Sequence, residues 1–207
     1  MKKIIIVSFL ITLVISGCEK NKLAQKVELN PTGNAWLKVG YFMPFSAFNN
    51  KNVQVTVDDK RIGSVITYAI ANPGGGYNMG GSVNPDYYAI KPGSRLIKIS
   101  IPNAGTSSDS VVYFSGTIDL AADQRQTVML TDTAGSAQAT VITDVITDPA
   151  AGNARAKFFN GIPNAGGNVD LYVTITGGAT SLLASNIAYK ATSGYFEFPA
   201  GGATLTF

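Results

Sequence analysis

Val53-Gln54-Val55-Thr56-Val57 is the stretch that sets the fold class. β-Branched apolar residues alternate strictly with polar ones, the period of a strand with one face in a core and the other turned out. Asp58-Asp59-Lys60-Arg61 follows as a turn cluster and leads into 62–71, which predicts a hairpin. The pattern extends both ways. Residues 36–43 predict a strand stopped by Pro44, and 87–91 ends at Pro92-Gly93. Residues 95–101 end at Pro102-Asn103, and 111–120, 127–131 and 139–144 complete a set of roughly eight strands. No segment after the amino-terminal leader sustains a 3.6-residue period, so an all-β fold without helix is expected.

Composition agrees. Charged residues make up 14% of the 207, while 22 glycines and 9 prolines punctuate runs rich in Val, Thr and Tyr, as in secreted sandwiches. Histidine is absent, which removes Ser-His-Asp and Cys-His nucleophile arrangements and imidazole metal sites. A single cysteine allows no internal disulfide.

That cysteine closes the leader. Lys2 and Lys3 form a charged start, 4–15 an apolar run, and Ser16-Gly17 a small pair directly before Cys18. The apolar run is shorter than the about 20 residues a spanning helix needs, and polar Glu19-Lys20-Asn21-Lys22 follows at once. Ile15-Ser16-Gly17-Cys18 resembles a bacterial lipobox, which implies cleavage before Cys18 and acylation of its thiol. Residues 1–17 are then a lipoprotein signal peptide, and 18–34 the lipidated cysteine with a flexible tether. The expected partner is membrane lipid and the expected location the bacterial envelope, at the outer membrane, on its periplasmic or its surface face. Removing Lys2 and Lys3 leaves fourteen basic residues against thirteen acidic ones, a net charge of +1. No basic run survives, so nucleic acid is not expected as a partner.

The chain also repeats itself. Ala154-Arg155-Ala156-Lys157 with Pro163 lies over Ala35-Trp36-Leu37-Lys38 with Pro44 without a gap. Residues 168–173 lie over 52–57, and Tyr195-Phe196-Glu197-Phe198 lies over Tyr87-Tyr88-Ala89-Ile90. Three matches in one order predict tandem β-sandwich modules of Ig-like or transthyretin-like kind, over 35–147 and 154–207, joined by a linker at 148–153. The second module has nothing matching 111–144, so it reads as partial: either a piece of a longer protein or a sandwich completed from elsewhere.

Several of these residues carry a family resemblance. The Leu130-Thr131-Asp132-Thr133-Ala134-Gly135 turn, Asp148-Pro149-Ala150-Ala151-Gly152, and Ala154 to Asn160 followed by Ile162-Pro163-Asn164-Ala165 are its first elements. With Val169-Asp170-Leu171-Tyr172-Val173 and Tyr195 to Gly201 they resemble the domain-of-unknown-function family 4397. The likeness is fuller over 125–207 and looser over 35–124, where Met43-Pro44-Phe45 replaces an Asx/Ser-Pro-Asp-like turn. The resemblance implies β-sandwich units, often in tandem, in envelope lipoproteins common among the Bacteroidetes. It implies no reaction and supplies no catalytic residues.

Candidate contacts lie in the glycine-rich insertion 72–82, where Tyr77 and Met79 sit, and at Tyr87-Tyr88, one of which must face outward from a strand. Trp36, Tyr41, Tyr68, Tyr172, Tyr189 and Tyr195 are candidates for a sugar-stacking stripe, though aromatics on strands more often pack the sheet. No metal site or cofactor is expected: Asp58-Asp59 reads as a turn rather than as calcium ligands. Asp109, Asp119, Asp123, Asp132 and Asp144 sit near strand ends, where they read as solvated turn acids rather than as a glycosidase pair. The resulting expectation is a non-catalytic, lipid-anchored envelope protein presenting its sandwiches to an unidentified glycan or protein. A fimbrial, strand-donating assembly component and a glycan-binding module are the alternatives.

Overall fold

The computed structural model describes residues 33–43, 52–67, 70–76, 85–132 and 136–207. Among them every regular element is a strand. The first module begins with β1 (Ala35–Tyr41), whose Leu37, Val39 and Tyr41 are fully buried. Next come β2 (Val53–Val57) and β3 (Lys60–Ile66). They are joined by Asp58 and Asp59 at φ of 49° and 64°, the left-handed pair that lets a two-residue turn match the strand twist. The single strand expected over 62–71 is two strands. β3 leaves β2 at the Val53–Ile66 pair, and the chain crosses to the other layer as β4 (Ile70–Asn72), which pairs with the far half of β1.

The module continues with β5 (Tyr88–Ile90), β6 (Gly93–Pro102), β7 (Asp109–Leu120), β8 (Arg125–Thr131) and β9 (Gln138–Asp144). One sheet runs β4-β1-β8-β9, with β5 sharing the β4 edge of β1, and the other runs β3-β2-β6-β7. β8 lies parallel to β1, with Leu37 opposite Gln126, Val39 opposite Val128 and Tyr41 opposite Leu130. The inner faces of both sheets close over one core that includes Leu37, Val55, Ile97, Ile99, Val128 and Leu130. Burying a side chain of this size contributes about 1.5–3 kcal/mol.

The second module holds β10 (Asn153–Phe159), β11 (Val169–Ile175), β12 (Thr180–Ile187), β13 (Thr192–Pro199) and β14 (Ala203–Thr206). β10 pairs with β13, while β12-β11-β14 forms a second sheet. The internal repeat holds down to the register. Ala35 faces Ile90 as Ala154 faces Phe198, and Leu37 faces Tyr88 as Ala156 faces Phe196. Val57 faces Ile97 as Val173 faces Leu205. β10, β11, β12, β13 and β14 therefore repeat β1, β2, β3, β5 and β6.

The second core is smaller: Ala154, Val173 and Phe198 are its buried members. Ile97 and Ile99 are 0% exposed, but the residues in their places, Leu205 and Phe207, are 40% and 73% exposed. In the first module β8 brings Val128 and Leu130 to this side of the core. Among the described residues the second module has no strand in the place of β7, β8 or β9.

Candidate functional site

Of the sequence-predicted contact residues, Cys18, Tyr77 and Met79, like Tyr68 of the aromatic set, lie outside the described residues. The base of the glycine-rich insertion is described, and a buried lysine holds it. Lys38 alternates outward from the core on β1, yet it is only 5% exposed, because 73–75 folds over it. Its Nζ donates to the carbonyls of Pro73 (2.8 Å), Gly74 (2.9 Å) and Gly75 (3.0 Å), and it stands 5.3 Å from the Tyr87 ring centroid. Burial pulls the Lys38 ammonium below its ordinary pKa, against the opposing pull of Asp86 and Asp144.

The returning limb of the insertion is tied to the outgoing one. Asp86 N donates to Gly74 O at 3.2 Å, and Tyr88 Oη donates to Asn72 Oδ1 at 2.8 Å. Gly76, at φ +70°, approaches Pro85 so closely that a Cβ there would stand 2.5 Å from the proline Cβ. Only glycine fits this crossing. On β3, Gly63 leaves the space that the Tyr88 hydroxyl fills.

Both adjacent tyrosines are thus engaged within the chain. Tyr88 packs partly against the first core, while Tyr87 Oη donates to Asp144 Oδ2 at 3.0 Å. Burial, followed by the Asp144 carboxylate, drives the Tyr87 hydroxyl pKa upward. Asp144 also accepts from Thr127 Oγ1 at 2.5 Å.

This end of β9 leads into a seam with the second module. Val145 N donates to Tyr195 Oη at 2.9 Å, and Lys157 Nζ donates to Thr143 O at 3.1 Å. Lys157 and Arg155 lie 4.3 and 4.4 Å from the Tyr195 ring, a repeat of the Lys38–Tyr87 pairing. The far end of the seam is pinned at Asp132, which accepts from Tyr189 Oη and from Lys190 Nζ, each at 2.6 Å. The aromatics proposed as a stripe are therefore dispersed. Tyr41 is in the core, Tyr189 and Tyr195 are in the seam, and Tyr172 is on the open face of β11.

A second polar cluster escaped the sequence reading. Gln54 on β2 and Ser100 on β6 point away from the core but are buried. Gln54 Nε2 donates to Ser107 O and to Asp109 Oδ1, at 2.9 and 3.0 Å, and Ser100 Oγ donates to Asp109 Oδ1 at 2.5 Å. Lys98 Nζ bridges Asp109 and Asp59, at 2.6 and 2.7 Å. Hydrogen bonds from Lys98 and then Ser100 hold the Asp109 carboxyl below its ordinary value, which makes it a weak base for activating Ser100. The cluster fastens the 103–108 turn to the sheet. Asp109, Asp132 and Asp144, expected as solvated turn acids, are instead acceptors in side-chain networks. Among the described residues no group of three or more acids or cysteines is placed to hold a metal ion.

The model of a domain of unknown function (DUF4397) matches residues 45–172, more than half of the chain. The chain belongs to that family. The DUF4397 match opens after β1 and closes within β11, so it covers most of the first module, crosses the linker and enters the second. The likeness read from the residues was fuller over 125–207; the family match extends well into the first module and stops short of β12 to β14. No curated protein matches the chain.

Proposed function

We propose that this DUF4397 protein is a lipid-anchored, non-catalytic component of a bacterial envelope that presents the first sandwich's glycine-rich loop for contact with a glycan or another protein. Anchoring is supported by the placement of the one cysteine after an apolar run and a small pair. Acylation of Cys18 and of the new amino terminus would supply several chains, enough for stable membrane attachment. The contact role rests on a single observation, the clamping of the insertion's base by Lys38, Asn72, Gly76 and Tyr88. This clamp fixes residues 73–76 and 85–88, between which Tyr77 and Met79 fall in the sequence.

Expression in a lipoprotein-processing bacterium tests the anchor. Mass spectrometry is expected to find an acylated Cys18 at the amino terminus, and Cys18→Ala is expected to accumulate uncut precursor. A chain that keeps Met1 and carries no acyl group would overturn the anchor. A glycan array tests the contact: binding that weakens with Tyr77→Ala supports the glycan form, and silence across the array removes it.

A further inference from the structure

Two arginines flank the seam between the modules, and each stands opposite an acid that it does not bind. In the first module Trp36, Arg125 and Asp144 lie side by side across β1, β8 and β9. This row belongs to the outer face, since the neighbouring Ala35 and Leu37 of β1 turn into the core. The Asp144 carboxylate is taken by Tyr87 and Thr127. In the second module Arg155 lies opposite Glu197 across β10 and β13. The Glu197 carboxylate accepts from Ala150 N at 3.1 Å and from Asn153 Nδ2 at 3.4 Å. Among the described residues, neither guanidinium has a carboxylate within 4.0 Å.

The seam connects the two places. Val145, which follows Asp144, donates to the Tyr195 hydroxyl, and the Arg155 guanidinium lies 4.4 Å from the centre of that ring. Arg155 is thus held by an aromatic face rather than by an acid, and its donors stay available for another anion. At the other end of the row stands Trp36, the only tryptophan of the chain, partly exposed on the outer face. Its partner on β5 is Ala89, whose methyl is too short to cover an indole.

A guanidinium grips a carboxylate with two parallel hydrogen bonds, and an exposed indole offers a broad apolar surface with a polar edge. Placed in one row, they suit a ligand that carries carboxylates on rings with apolar C–H faces, which is the chemistry of an acidic sugar. Two strand spacings put Trp36 about 10 Å from Asp144, and Tyr195 and Arg155 continue the row beyond it. Its length fits several linked sugars rather than one.

We infer that this outer face, from Trp36 and Arg125 across the seam to Arg155, binds an oligosaccharide of uronic acids. Trp36 stacks on one sugar ring, and the two guanidiniums take carboxylates of different sugars. The site is separate from the glycine-rich loop and does not rest on Tyr77 or Met79.

Trp36 serves as the reporter of its own site. The full chain in detergent is titrated with a short oligogalacturonate while tryptophan emission is followed. A saturable shift is expected, with none from the neutral galactose oligomer. Arg125→Gln and Arg155→Gln are each expected to weaken binding at least tenfold, whereas Arg61→Gln, on β3 of the other sheet, is expected to leave it unchanged. Arg125→Lys keeps the charge without the two-pronged grip; it is expected to bind more weakly than the parent and serves if a glutamine variant does not fold. Tyr77→Ala is expected to have no effect, so failure here and failure of the loop reading are told apart. No shift with oligogalacturonate, or an equal loss from Arg61→Gln, overturns the inference. An equal response to polyglutamate overturns the sugar assignment, and binding of a sulfated galactan in place of the uronate overturns the carboxylate.

Discussion

The two modules share five strands and a register but not a core. Ile97 and Ile99 in the first, and Leu205 and Phe207 in the second, stand at matching positions, yet the first pair is sealed and the second is open to solvent. The difference lies in their surroundings. In a sandwich an apolar residue on an inner face counts as core only when the opposite sheet supplies a complement, and among the described residues β8 makes that supply for the first module only. Identical local sequence logic thus gives one well-packed body and one exposed apolar surface.

The widest gap between the modules is expected from truncation at these positions. Ile99→Ala should cost about 2–5 kcal/mol in chemical denaturation, the range for a sealed aliphatic side chain. Phe207→Ala should stay within about 0.5 kcal/mol, as an exposed substitution does. Equal losses would show that the second module is closed in solution.

The paired lysines give the next contrast. Lys38 makes three part-buried bonds to the carbonyls of 73–75, whereas Lys157 makes one exposed bond to Thr143. Lys38→Met is expected to cost about 1–3 kcal/mol and to hasten proteolysis within 73–86, with Lys157→Met nearly silent in both assays.

Acid titration gives a smaller effect, confined to the first module. Asp109 has a pKa below its ordinary 3.8 in the folded chain. It therefore adds stability above that pH, and the gain is lost as pH falls through the lower, folded value. Asp109→Asn should flatten the stability curve below about pH 4, read by denaturation at a series of pH values. An unchanged acid limb would mean that the Lys98–Asp109 pair does not persist in solution. The smallest effect is expected from Tyr195→Phe, which removes one acceptor from Val145 and should cost no more than about 1 kcal/mol. Tyr87→Phe leaves Asp144 with one donor fewer in a more buried setting and should cost more.

The sequence carried most of the strand plan, because alternation at Val53–Val57 and the turn residues at 58–59, 92–93 and 102–103 act locally. It also carried the repeat, including the Lys38–Tyr87 and Lys157–Tyr195 correspondence, though not the ring contacts that come with it. The break between β3 and β4 was not legible. Residues 62–71 read as one β-rich run without proline, and nothing local in them marks the change of partner from β2 at Ile66 to β1 at Ile70. The Lys38 clamp and the Gln54–Ser100–Asp109 cluster were missed for one shared reason. Polar residues at alternating positions read as solvent-facing, and their burial comes from turns at 73–76 and 103–108 that fold back over the outer face. A two-residue period says which side of a sheet a residue takes, not whether a distant loop will cover it.

The clamp at the foot of the glycine-rich insertion has a consequence for variation. Lys38 reads only main-chain oxygens of 73–75, so its grip on that turn does not depend on which side chains those residues carry. Gly76 is the opposite case, since its close approach to Pro85 leaves no room for a Cβ. Tolerance of substitution is therefore expected to change sharply between neighbouring positions of the same turn.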